Sequence, residues 1–234
     1  MTYTNLHSIV MARTHQVAAQ GMIRPMPLWL SAILFIIPSL FFMMSSHLVM
    51  PWLDIFGLAQ FESVVVAFTI PHAGLFAAAL IAYHRVEKLP LRWSAFAERF
   101  RLPRLTFKIV LLGLGIFVVG AVASQLLAQV GLLLITNGII PIPSNLPLLL
   151  DPNIQISLPV LERFVGGPIL GSWNVAIAFF VMLFFNITGE ELWWRGYILP
   201  RQQLVHGRWT WLIHGLMWWG FHSFVWWNNA ICDE

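Results

Sequence analysis

Residues 164–195 read FVGGPILGSWNVAIAFFVMLFFNITGEELWWR. Positions 164–189 contain no charged side chain, and then two carboxylates, Glu190 and Glu191, stand side by side. An apolar run of that length is what a helix needs to cross a hydrocarbon layer about 30 Å thick. An ionisable side chain at bilayer depth costs about 2.5–3.5 kcal/mol on insertion scales, so its presence there is by default a functional hypothesis. Arg195 follows Glu191 at i,i+4. On a helix these two share a face and can pair, while Glu190 points about 100° away from them.

The rest of the chain agrees with that reading. Of its 234 residues, 59% are hydrophobic and 10% charged, with a mean hydropathy of +0.77. An ordinary soluble domain carries about 25% charge. The expectation is an all-α, polytopic transmembrane helical bundle whose principal partner is the lipid bilayer. The single cysteine, Cys232, excludes an internal disulfide. Basic residues are few and follow topology, which points away from nucleic acid.

Uncharged runs at 28–50, 64–83, 109–136, 168–187 and 209–227 give about five spans. Pro38 falls inside the first, where proline kinks a helix, and Pro71 inside the second. Residues 84–108 hold Arg85, Lys88, Arg92, Arg99, Arg101, Arg104 and Lys108, interleaved with Leu91, Trp93, Ala95, Phe96 and Phe100. That pattern predicts a short amphipathic helix on the membrane surface. Pro141, Pro143, Pro147, Pro152 and Pro159 break any continuous helix in 137–163. Twelve of the 13 Lys and Arg residues fall on one side of this topology, Arg163 alone on the other. The positive-inside rule then makes 1–27 a cytoplasmic N-terminal segment and 188–208 a cytoplasmic connection. Residues 28–234 form one transmembrane domain, with a motif core at 164–227.

Several side chains could carry chemistry. Thr188-Gly-Glu-Glu191 fits a capping box, so Glu191 could simply cap a short helix. Glu190 is harder to assign to structure, because a carboxylate in a partly dry site suits general-base work. Trp218 and His222 lie one helical turn apart in the last span, and His214 lies near the same stripe. A histidine deep in a span otherwise serves as an interhelical hydrogen bond, which is the simpler reading of His214. His47 and His72, without acidic neighbours in sequence, read as packing or polar-glue residues, and His206 as a solvated one. Nine of the twelve tryptophans lie between Trp173 and Trp227, where interfacial belts account for most of them. No metal motif is present. A zinc site at Glu190, Glu191 and His222 is chemically allowed but weak by spacing.

Glu190-Glu191-x-x-x-Arg195-Gly-Tyr-x-Leu-Pro-Arg, followed in the next span by Trp218-x-x-x-His222, resembles the CPBP family of CAAX-processing and bacteriocin-processing intramembrane proteases. The resemblance covers about 188–222, with Trp218 standing where the family has phenylalanine. It implies a metal-free endopeptidase in which Glu190 activates a water, His222 orients that water or stabilises the oxyanion, and Arg195 holds Glu191. Trp218 would face the substrate, a membrane-associated peptide or a prenylated protein at the cell membrane. The family's third motif, His-x-x-x-Asn, is missing. The resemblance therefore implies a C-terminally truncated protease, and leaves the activity of this chain open. Two other classes compete: a non-catalytic membrane protein of the same fold, with an immunity or scaffold role, and a transporter with a Glu/His proton relay. The absence of an internal repeat counts against the transporter.

Overall fold

A lipid environment leaves no water for exposed peptide groups, so spanning segments must satisfy their backbone internally, as helices do. The computed structural model describes residues 23–102, 105–141, 151 and 154–225, and among them there is no strand. Arg13, Arg104, Pro143, Pro147, Pro152, the tail of the expected last span at 226–227 and Cys232 lie outside the described residues. The protein is an all-α polytopic bundle. Four helical stretches are long and apolar enough to cross a membrane.

Helix α1 (Leu28–Ile55) runs farther than the apolar stretch that announced it. A π-helical segment, Ser45–Val49, lies within it. There Ser45 Oγ donates to the Ala67 carbonyl of the neighbouring helix at 2.5 Å, and Ser46 Oγ to Phe42 O at 2.5 Å. Helix α2 (Gln60–Val86) begins with Glu62 reaching back to the Ala59 N–H at 3.2 Å. Both expected prolines, Pro38 and Pro71, sit inside these helices.

The amphipathic helix is present as α3 (Trp93–Arg99), but it does not rest on lipid alone. The Phe96 and Phe100 rings pack 5.5 and 5.7 Å from Tyr83. Arg99 is buried, forming a two-pronged pair with Glu87 at 2.5 and 2.6 Å. Arg201 reaches the same Glu87 at 2.6 Å. A basic residue expected to be solvated is thus inside the protein, because a buried carboxylate needs charged partners. Trp93 and Leu91 stay exposed.

Helix α4 (Phe107–Thr136) carries apolar residues on every side and leaves most of them exposed. A helix apolar all round is a membrane span, and 30 residues give about 45 Å of helix, more than one bilayer crossing requires. A short helix α5 (Leu158–Val165) ends at Gly166, whose φ of 83° suits a left-handed C-terminal cap.

The motif region differs most from expectation. Helix α6 (Trp173–Glu190) does not stop before the carboxylates. It passes into a π-helical segment, Glu191–Ile198, and then into α7 (Leu199–His206). The connection expected at 188–208 is therefore largely helix. Thr188 caps nothing: its Oγ1 bonds back to the Phe184 carbonyl at 2.5 Å, as a mid-helix threonine does. Gly207, with φ 53°, turns the chain. Helix α8 (Thr210–Phe221) then runs back alongside α7 and the π segment. Gln202 meets Thr210 and His214, and Trp194 meets Phe221. The fourth and fifth expected spans fall on α6 and α8, on either side of the turn at Gly207 within the apolar stretch Trp173–Phe224.

Aromatic rings join these helices into one core. Phe35 of α1 stacks on Trp194 at 4.3 Å, and Trp194 lies 5.0 Å from Phe221. Phe42 of α1 meets Phe221 at 5.2 Å and, edge-on, His72 of α2 at 4.5 Å. Helix α6 packs lengthwise on α2. Small residues permit close helix approach in membranes, and here Gly189 provides it: a Cβ at that position would lie 2.5 Å from the His72 carbonyl oxygen.

Candidate active site

The two carboxylates of the motif have separate partners. Glu191 forms an ion pair with Arg195 along the π segment, with both side chains about half exposed. Glu190, one residue earlier, turns to the opposite neighbour. Its Oε1 lies 3.1 Å from Nε2 of His72 on α2. The Glu190 side chain is 14% exposed and that of His72 is 4% exposed. The split follows from the helical angle between consecutive residues. It falls where α-helix gives way to π-helix, a feature often found at functional sites.

His72 is held on its other sides as well. Its Nδ1 lies 2.7 Å from the Phe68 carbonyl one turn back, and the Asn186 Nδ2 amide lies 2.9 Å from Nε2. Asn186 and Glu190 are one turn apart on α6, so both reach the same imidazole. The close approach at Gly189 sets the spacing.

A cavity of about 300 Å³ with both charged and apolar groups on its lining opens beside Glu190. Glu190, Glu191 and Arg195 line one wall, His214 and Trp218 of α8 the other, with Arg208 at the turn. The Arg195 guanidinium carbon stands 5.9 Å from the Trp218 ring centroid, within cation–π range. Three of the residues singled out in the motif therefore meet Trp218 across one cavity. His222 is not among the lining residues. Its Nδ1 lies 3.0 Å from the Trp218 carbonyl, and its ring packs 4.8 Å from that of Trp218. His214 is buried and bonded to Gln202 Oε1 at 2.7 Å, an interhelical link as expected.

Residues 172–232 match a family model described as type II CAAX prenyl endopeptidase Rce1-like. This part of the chain is similar to that family. The match takes in Glu190, Glu191, Arg195, Trp218 and His222, and it is consistent with a CPBP family intramembrane protease. At family level it supports a CAAX-type intramembrane protease, and with the apolar helices it supports a multi-pass membrane protein. No curated protein and no solved structure matches the chain.

The matched segment begins after α2 and so does not contain His72. The sequence reads His72 as a packing or polar-glue residue; the structure shows the polar link, but its partner is an acid 118 positions away that no sequence window names. The one signal available was its position in the middle of an apolar span, where an ionisable side chain needs a partner. On the His72 side of the cluster lies a second, apolar cavity of about 660 Å³, between α2, α5 and α6. Phe68, Phe164, Phe179 and Phe180 are among its walls, with His72 and Asn186 as polar groups on its lining. Among the described residues no group of three His, Cys, Asp or Glu side chains is arranged to hold a metal ion.

Proposed function

We propose that the chain is an intramembrane endopeptidase of the CAAX type, with Glu190 as the general base. The observation that carries this reading is the position of Glu190. It lies inside the segment that matches the family model, mostly buried, yet on the wall of a cavity it shares with Arg195 and Trp218. In the proposed reaction the Glu190 carboxylate takes a proton from water as the water oxygen adds to a peptide carbonyl carbon. The same proton passes to the amine nitrogen as the C–N bond breaks, so Glu190 ends as it began. Glu191 and Arg195 form the charged wall beside it. Trp218 offers a flat apolar face to the peptide or its lipid group, and His222, one turn on, is assigned to water or oxyanion as the motif implies. The substrate class is a membrane-associated peptide or a prenylated protein. Orientation with the N-terminus in the cytoplasm of a cell-membrane protein is supported by the twelve-to-one distribution of basic residues.

The test uses the full chain in liposomes with a fluorogenic S-prenylated peptide and its unprenylated counterpart. Cleavage by the native chain is expected, and loss of about 100-fold or more in Glu190→Gln, the usual worth of a positioned base. Undiminished cleavage by Glu190→Gln refutes the assignment of the base. Cleavage that survives strong chelators supports the metal-free route; cleavage lost on chelation and restored by zinc supports the zinc alternative at Glu190, Glu191 and His222.

One observation favours a second reading, a non-catalytic membrane protein of the same fold: His222 is not on the cavity wall that holds Glu190. Peptide that binds with Trp218-dependent affinity and is recovered intact would establish that reading instead.

A further inference from the structure

The hydrogen bonds around His72 fix how many protons it can share with Glu190. A carbonyl oxygen only accepts, so the 2.7 Å contact with Phe68 O requires a proton on Nδ1. In a neutral ring Nε2 then has a lone pair and no proton. A lone pair facing an ionised carboxylate oxygen at 3.1 Å is repulsive, and two protons cannot fit on the Nε2–Oε1 axis. A single proton between them removes that repulsion. With that proton on Nε2, Asn186 turns its C=O to the ring, a half-turn from the orientation that places Nδ2 at 2.9 Å. The unit of imidazole, carboxyl and one proton carries no net charge, which is the form a membrane interior tolerates.

We propose that His72 is a positioning residue for Glu190: the two share one proton, which ties Oε1 to α2 and leaves Oε2 as the oxygen available to the cavity that Glu190 lines. Asn186 holds the imidazole from the side, and the Gly189 contact sets the distance between the two helices. Under the hydrolase reading on which this rests, the shared proton stands on Nε2 as water adds, and Oε2 of the carboxylate takes the water proton. His72 touches no substrate and acts only through Glu190.

Two measurements test it on the full chain in lipid nanodiscs. The first needs no activity. With ¹⁵N-labelled histidine, and the His72 signals assigned through their loss in His72→Gln, Glu190→Gln is expected to shift the His72 Nε2 resonance and leave Nδ1 in place. An Nε2 signal that does not respond to Glu190→Gln overturns the proposal, whatever the chain cleaves. The second measures cleavage of the prenylated reporter. His72→Phe is expected to lower kcat by about 100-fold, the cost of misplacing a reacting group by about 1 Å, with KM unchanged. His72→Gln, whose amide N–H can still donate to Oε1, should recover part of that loss. A His72→Phe chain with kcat within threefold of the native value overturns the proposal. A native chain that cleaves nothing but shows the Nε2 response refutes the hydrolase reading and supports the shared proton.

Discussion

The contact at Gly189 can be tested by adding a single carbon. A Cβ there would sit 2.5 Å from the His72 carbonyl oxygen, 3.3 Å from the His72 carbonyl carbon and 3.4 Å from the Phe76 nitrogen. All three are backbone atoms of α2, so no side chain can rotate out of the way. Relief to the 3.4 Å of ordinary contact requires α2 and α6 to part locally by about 0.9 Å, and overpacking of that kind costs about 1–3 kcal/mol. Against this stands the gain of about 1 kcal/mol when alanine replaces glycine inside a helix. Gly74, also in α2, has nothing within 4 Å of the equivalent position. Gly74→Ala gains the propensity without the clash. The difference between Gly74→Ala and Gly189→Ala therefore isolates the helix–helix contact and should be about 1–3 kcal/mol in favour of Gly74→Ala. Reversible unfolding of the full chain in mixed micelles, titrated with dodecyl sulfate, measures both variants against the same baseline. Equal stability of the two alanine variants would refute the close approach, and with it the spacing that brings His72 to Glu190.

Other expectations use the same unfolding assay. Glu87→Gln should be among the costliest single changes, about 3–5 kcal/mol, because it leaves the buried Arg99 and Arg201 without their shared carboxylate. Arg195→Ala should change stability by less than about 1 kcal/mol, since its pair with Glu191 is half exposed; a larger loss would mean the pair holds the π segment together. Gln202→Leu removes the partner of buried His214 and should cost about 1–3 kcal/mol, with no such loss in the double variant Gln202→Leu/His214→Leu. Trp218→Ala should weaken binding of the prenylated reporter, read by fluorescence titration; unchanged binding would refute its place against the substrate.

Much of the fold was legible because lipid imposes a simple code. Apolar length predicts a span, and the runs at 28–50, 64–83 and 109–136 became α1, α2 and α4 with ends shifted by a few residues. The motif region was read less well. Glu190 and Glu191 follow an uncharged run, and charge next to an apolar stretch normally means the end of a span. Here the helix continues, because Glu191 finds Arg195 on its own helix and Glu190 finds His72 on the next. The basic segment 84–108 misled for a related reason. Arg99 has the sequence context of a surface residue, and only Glu87 and the Gly196 carbonyl, folded against it, draw it inside.

Local order determined what the sequence could determine. Composition and run length gave a helical membrane bundle, since each helix satisfies its own backbone. The 100° step between adjacent residues gave two carboxylates with separate partners. Which partner Glu190 would have was a matter of tertiary structure alone. His72 reaches it across 118 positions because Gly189 lets two helix backbones nearly touch. Contacts between helices are made by matching faces, and no window along a single chain records which faces will meet.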